Sequence, residues 1–399
     1  MACSGSAGRS PPVLVSGRNL TIAGEAIHMK GVAWSPYNVS FSPNLGHRPG
    51  YASLVARDAP LMRAAGINVV RTYEAITDVG ILDALWENDI MVVMTVFLDA
   101  GYGHTAATAT ATVCALKSHP AVLMWSVANE PNYYAASPSY ESDIAVVVAA
   151  IKAVDATRPV CTVWGEVPPA TVLASLSAVD VWGANIYRGV TFTNLWSVWP
   201  SASPKPFFIS EFGVDSFSTA LNADDFSTQA VEVSQMATEV ASHTAASGGC
   251  CVGGVLFSWS DEWWKHAAGD AALHDTAVAW TAGGGYADLA MQEEHFGITT
   301  VGTTSLKPSY HAYAAVDFSR PPGRAPLSSE ASYDVALAVV AASAGALAIL
   351  VGGGLSYRAW KQRHRSERVR AHEKRAPPTL RHPRPEMQVS AASSSSAES

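Results

Sequence analysis

Two glutamates stand where a chain rarely leaves an uncompensated charge. The segment Trp125-Ser-Val-Ala-Asn129-Glu130-Pro131-Asn132 and the segment Phe208-Ile-Ser-Glu211-Phe212-Gly213 each place a carboxylate directly after an apolar run. A carboxylate so placed is costly to bury unless it has partners. Two carboxyl groups about 5–5.5 Å apart, on either face of a glycosidic bond, can cleave it with retention. One must hold its proton near neutral pH to protonate the leaving oxygen, and the other must be ionised to attack the anomeric carbon.

Such a pair needs a frame that brings distant segments to one place. Short apolar runs alternate with longer helical patterns between Gly24 and Val316. Strands are predicted at Ile27–Ala33, Asn68–Tyr73, Met91–Phe97, Val122–Asn129, Val160–Trp164, Val179–Ile186, Phe207–Glu211 and Val255–Trp259. Most are continuously apolar, as strands buried on both faces are. Helices are predicted at Tyr51–Ala65, Asp78–Asn88, Ser139–Asp155, Asp224–Ser247 and Leu306–Val316. This is the arithmetic of an α/β chain folded as a (β/α)8 TIM barrel, whose chemistry sits at the carboxyl ends of the strands. A doubly wound sheet would carry a glycine-rich phosphate loop after an early strand, and none is present. Glu130 would then close the fourth strand and Glu211 the seventh, nearly opposite across the barrel.

With those positions set out, WSVANEPN and ISEFG resemble the acid/base and nucleophile motifs of the clan A glycoside hydrolases, which are retaining barrel enzymes. The resemblance runs from Val13 to about Asp317. It implies Glu130 as acid/base, Glu211 as nucleophile and Asn129 as the partner of the sugar 2-hydroxyl. It also implies Arg71 (NVVRTY) near the nucleophile, Tyr187 (ANIYRG) hydrogen-bonded to it, and Trp259 (LFSWSDEWW) as the floor of the sugar site. Within the clan, IHMKGVAWSPYN, RDAPLMRAAGINVVRTYEA and LKPSYHAY look most like the barrel domain of family 2 β-glycosidases and the fungal β-1,3-glucanosyltransferases of family 72. The β-sandwich domains of the first and the cysteine-rich trailing domain of many of the second are absent from this sequence.

Sugar rings stack on aromatic side chains, and Trp34, Tyr37, Tyr73, Trp164, Trp196, Trp199, Trp263 and Trp264 fall near predicted strand ends or the loops after them. Of the tryptophans, Trp34, Trp164 and Trp259 are expected nearest the catalytic pair. A long insertion, Asp261 to Thr304, follows the eighth strand and should pack over the barrel mouth. Its Asp261, Glu262, Lys265, His266, His274, Asp275, Glu293, Glu294 and His295 fit no calcium or zinc spacing. They are read as solvated or salt-bridged, with no metal and no cofactor. The five cysteines form no metal pattern; Cys114 could pair with Cys161 or Cys250, or all could be buried thiols.

Composition sets the surroundings. Of the 399 residues 48% are hydrophobic and 15% charged, which excludes a disordered or nucleic-acid-coating protein. Ser356–Ser399 carries 10 basic and 4 acidic residues, and the chain before it 16 and 30. Between the acidic body and the basic tail, Val335–Leu355 is 21 residues without a charge, 12 of them Ala, Gly or Ser. At about 1.5 Å per residue it can cross a bilayer core of roughly 30 Å. Tyr333 precedes it, and Tyr357, Arg358, Trp360, Lys361, Arg363 and Arg365 follow, a positive-inside pattern. The expected order is a polar lead-in (1–12), the barrel (13–318), a Pro-rich stalk (319–334), a single transmembrane helix (335–355) and a basic, largely disordered cytosolic tail (356–399). The barrel would lie outside or in a lumen, where Asn19-Leu-Thr and Asn38-Val-Ser could be glycosylated. No signal peptide is visible in the first 30 residues, so a start upstream of this sequence is expected.

The sequence therefore points to a membrane-anchored retaining β-glycosidase that hydrolyses or transglycosylates a β-linked oligo- or polysaccharide of glucan or mannan type. The alternative is a non-catalytic glycan-binding receptor on the same barrel.

Overall fold

The computed structural model describes residues 11–265, 274–301 and 305–319. Eight parallel strands close a barrel: β1 (Met29–Ala33), β2 (Val69–Arg71), β3 (Met91–Phe97), β4 (Val122–Asn129), β5 (Val160–Gly165), β6 (Val181–Asn185), β7 (Phe207–Phe212) and β8 (Gly253–Leu256). Each pairs in parallel with its neighbours in chain order, and β8 pairs with β1 to close the ring. A small antiparallel sheet (Val13–Ser16, Asn19–Ile22, Glu25–Ala26) precedes β1.

Helices alternate with the strands: α1 (Tyr51–Ala64), α2 (Val79–Glu87), α3 (Ala106–Leu116), α4 (Tyr140–Val154), α5 (Ala170–Ser175), α6 (Leu195–Ala202), α7 (Phe226–Ser242) and α8 (Pro308–Ala314). Their ends follow side-chain chemistry. Asp78 accepts the Gly80 N–H at 2.9 Å ahead of α2, Thr105 and Thr108 form a capping box at α3, and Asp225 caps α7 through the Thr228 N–H. The stretch after α1 turns on Gly66 in the left-handed region (φ 69°). α8 is tied to the ring at β1, where Tyr313 Oη donates to the Gly31 carbonyl at 2.7 Å. Lys30 Nζ donates to the Ala314 and Val316 carbonyls at 3.1 and 2.8 Å and so satisfies the end of that helix.

The eight strands expected from apolar runs are all present, β3 and β4 with the same limits. β8 is the exception in register, because it runs Gly253–Leu256 rather than Val255–Trp259. Its first residues are glycines outside the apolar run, and a Cβ on Gly253 would lie 2.1 Å from the Met29 carbonyl oxygen. The position needs glycine because β8 and β1 approach so closely. α3, α5 and α6 were not anticipated. α3 is an Ala/Thr repeat with little amphipathic contrast, α5 has six residues, and α6 contains Pro200. The expected helix Asp224–Ser247 is shorter, ending at Ser242 before a single 3-10 turn at Ala245–Ser247.

The insertion after β8 is ordered where it is described, with a short ribbon (Trp280–Thr281 against Ala290–Met291). Several of its charged residues are salt-bridged. Lys265 Nζ lies 3.1 Å from Glu262 and 3.8 Å from Glu293, and the buried Lys307 donates to Asp261 at 2.6 Å. Lys307 Nζ also reaches Ser216 Oγ (3.2 Å) and the His295 carbonyl (3.3 Å), joining the approach to α8 to the loops after β7 and β8. His266 and residues 320–399, which hold the expected stalk, span and tail, lie outside the described residues. Among the described residues no helix is long and apolar enough to cross a membrane. The cysteine pairing differs from both expected pairs: Cys114 is disulfide-bonded, while Cys161, Cys250 and Cys251 are free and buried.

Lys307→Met would strand the Asp261 carboxylate in a dry site. Breaking one side of such a pair costs about 3–5 kcal/mol. Urea unfolding of the Lys307→Met protein should show a loss of that order, and adding Asp261→Asn should recover part of it.

Candidate active site

Parallel strands put all eight carboxyl ends on one rim, so side chains far apart in sequence converge there. Arg71 ends β2, Asn129 ends β4, Asn185 ends β6, and Glu211 is the last residue but one of β7. Arg71 is wholly buried and binds two of the other strand ends, those of β7 and β4. Its Nη1 donates to Glu211 Oε1 at 2.6 Å and to the Ser210 carbonyl at 3.1 Å, and its Nη2 donates to Asn129 Oδ1 at 2.5 Å. Glu211, 7% exposed, takes two further hydrogen bonds: Tyr73 Oη to Oε1 at 2.7 Å and Tyr187 Oη to Oε2 at 3.1 Å. Asn185 Nδ2 donates to Asn129 Oδ1 at 3.4 Å, and Ser210 Oγ donates to Asn185 Oδ1 at 2.8 Å.

Glu130 is reached differently. Ala128 (φ 66°) and Glu130 (φ 48°) both sit in the left-handed region, which non-glycine residues enter at a cost of about 1–3 kcal/mol. The chain thus leaves β4 sharply and presents Asn129 and Glu130 in succession on the rim. A single helical turn, Pro131–Tyr134, follows, with Pro131 at its first position. Burial pushes the Glu130 carboxyl up to about 7, the negative charge of Glu211 adds to the rise, and a hydrogen bond from Asn185 with the charges of Arg71 and Lys265 opposes it. Burial likewise raises Tyr73 and Tyr187 well above the usual phenol range, with Glu211 adding to both, so these hydroxyls remain proton donors to its carboxylate.

The two glutamates line one cavity of about 910 Å³, together with Asn129, Asn185, Tyr73 and Tyr187. Its chemistry is that of an ion-paired, hydrogen-bonded carboxylate sharing a cavity with one raised toward holding its proton, the division that acid-assisted nucleophilic displacement needs. Among the described residues no group of His, Cys, Asp and Glu could hold a metal.

Residues 101–233 match the family description "Glycosyl hydrolases family 2, TIM barrel domain". That stretch contains both glutamates, and the resemblance seen in the motifs agrees with it. No curated protein matches the chain in sequence. Among solved structures, the barrel is similar to a family 2 β-galacturonidase from Eisenbergiella tayi bound to galacturonate (TM-score 0.56, 18% identity, 76% of this chain and 53% of that one). It is also similar to a β-D-glucuronidase from Dictyoglomus thermophilum (0.54, 19%, 76% and 52%). A third is an FMN-binding β-glucuronidase from Faecalibacterium prausnitzii L2-6 (0.56, 17%, 77% and 47%). At these identities the likeness is one of fold, and the chain spans about half the length of the proteins it resembles.

Of the residues singled out in the sequence, Arg71, Asn129, Tyr187, Glu130 and Glu211 meet at this rim. The three tryptophans do not line the cavity. Trp34 is buried with its indole N–H on Asp58 Oδ2 at 3.0 Å, and its ring packs on Tyr51. Trp164 packs near Tyr140 (ring centroids 6.0 Å) and Trp259 near Tyr310 (6.2 Å). For Trp259 the cause is the register of β8. The strand stops at Leu256, so Phe257 is the first residue beyond it, and its ring faces the cavity beneath Lys265 Nζ, 4.1 Å from the centroid. Tyr37, Tyr73 and Trp264, also among the aromatics noted near strand ends, do line the cavity, whereas Trp199 stacks on Phe207 in the core. Sequence reasoning missed Asn185, Phe257, Tyr133 and Tyr134, while Trp280 lies in the insertion expected over the mouth. Asn185 had a signal, as a polar residue ending the apolar run VWGAN.

A carboxyl-resolved NMR titration should place the Glu130 midpoint near 7. Glu211→Gln removes the neighbouring charge, so the midpoint should move down, while a midpoint left in place would show that burial alone raises it.

Proposed function

We propose that the chain is a retaining β-glycosidase working by double displacement. The observation that carries this reading is the unlike environment of two facing carboxylates. Glu211, held by Arg71, Tyr73 and Tyr187, is the nucleophile that forms the glycosyl-enzyme. Glu130, pushed up to about 7, gives its proton to the leaving oxygen and then takes one from the incoming hydroxyl. Asn129, oriented by Arg71, binds the sugar next to the scissile bond. No step calls for a cofactor.

Charge speaks for a neutral glycan. Six glutamates line the cavity, and the cations at its border already hold carboxylates: Arg71 holds Glu211, Lys265 holds Glu262 and Glu293, Arg188 Nε holds Glu166 at 2.8 Å, and Arg48 holds Glu74 at 2.6 Å. A uronate would bring one more carboxylate to a site whose described cations are all engaged. The uronides named for the proteins of similar fold are therefore not carried over, and a β-linked glucan or mannan type of substrate is preferred. We further propose that Val335–Leu355 anchors the chain in a membrane, with the barrel outside or lumenal and the basic tail cytosolic. Charge asymmetry across that stretch supports this orientation.

On a panel of β-1,3-, β-1,4- and β-1,6-glucans, mannan, galactan and aryl β-glycosides, the full chain should turn over a neutral substrate and prefer it to the matching glucuronide. Glu211→Gln should abolish turnover, and azide added to Glu211→Gly should yield the glycosyl azide of inverted configuration. Equal behaviour of wild type and Glu211→Gln would favour the receptor reading. The proton on Glu130 is the working form, so kcat/KM should fall as pH rises through about 7. Glu130→Gln should lose that limb and about 10²–10⁴ in rate on poor leaving groups. For topology, an endoglycosidase-sensitive mobility shift should disappear in Asn19→Gln, Asn38→Gln protein; a chain made in a glycosylating host without that shift would count against a lumenal barrel.

A further inference from the structure

The single turn after Glu130 carries an aromatic pair that the catalytic steps leave unused. Tyr133 and Tyr134 are 60% and 67% exposed, yet both line the cavity. Their rings stand edge to face, 6.0 Å between centroids at 79°. Exposed aromatic rings are common on surfaces, but these are held in place. Asn132 donates to the Gly165 carbonyl at 2.7 Å and accepts the Gly165 N–H at 3.0 Å, pinning the turn to the end of β5. The Tyr133 ring then lies across Gly165 so closely that a Cβ there would come within 2.1 Å of it. The Tyr133 and Tyr134 N–H groups both donate to the Glu130 carbonyl, at 2.9 and 3.0 Å. The pair is thus fixed to the residue that serves the departing oxygen.

We propose that Tyr133 and Tyr134 form the subsite for the leaving sugar and, after it departs, for an acceptor sugar. This rests on the glycosidase reading above. An aromatic face carries negative charge density and attracts the C–H groups of a sugar ring. A sugar held there competes with water for the glycosyl-enzyme. Its hydroxyl oxygen forms the new bond to the anomeric carbon as the ester bond to Glu211 breaks. The hydroxyl proton passes to the Glu130 carboxylate, and Glu211 leaves as a carboxylate. Gly165 is a positioning residue, since the Tyr133 ring occupies the space a side chain would take.

The test uses a β-glycosyl fluoride, whose leaving group is too small to fill this subsite, and a β-linked disaccharide acceptor. Transfer and hydrolysis products are counted together for the full chain. Tyr133→Ala and Tyr134→Ala should each lower the transfer-to-hydrolysis ratio, counted within one reaction, about three- to tenfold. Tyr133→Phe and Tyr134→Phe should keep the ratio. Unchanged ratios in both alanine variants overturn the proposal, as does loss of acceptor-free fluoride consumption, which would make the pair structural. A wild-type chain that consumes no fluoride of any neutral sugar overturns the glycosidase reading itself.

Discussion

Arg71 is the constraint around which the site is arranged. A guanidinium with no exposed surface cannot be left unpaired, and a buried pair broken on one side costs about 3–5 kcal/mol. It satisfies that demand by binding β7 through Glu211 and the Ser210 carbonyl, and β4 through Asn129. Its planar fork holds both partners at once, which a lysine could not do in the same geometry. Glu211 and Asn129 therefore share one rigid cation. The guanidinium also sits 4.7 Å from the Tyr73 ring centre, so the aromatic that donates to Glu211 is set by the same group.

The second carboxylate owes its different character chiefly to burial without an ion-pair partner of its own. Glu130 is joined to the network through an amide rather than an ion pair, and it feels the charge that Arg71 only partly neutralises on Glu211. Burial raises Glu130 most, and the nearby charge of Glu211 adds to it. The surrounding loops follow a similar economy. Lys265 sits over Phe257 while bridging Glu262 and Glu293, so the insertion contributes a paired cation to the wall against a ring from the end of β8.

How much of this could be read from the chain varies with the kind of interaction. Strands buried on both faces leave continuous apolar runs, and β3 and β4 were legible to the residue. Glycines obscured β8, because Gly253 serves a close contact with β1 and Gly254 leaves room for the Phe212 and Val240 side chains. That error carried Trp259 into the expected site and left Phe257 out. Trp34 and Trp164 were misjudged for a related reason: position near a strand end says where a Cα lies, and the packing around it decides where a large ring points. Tyr133 and Tyr134 carried no signal beyond lying next to Glu130.

By itself the sequence determined the alternation of strands and helices, the two carboxylates at strand ends, and the polar residues that end neighbouring strands. These depend on local pattern, where burial on two faces and a charge at its edge leave a mark within a few residues. Only the tertiary structure decided which residues meet, which glutamate keeps its proton and which aromatics face the cavity. Those outcomes depend on distance and burial across elements far apart in sequence, 140 residues for Arg71 and Glu211, and no window along the chain contains them.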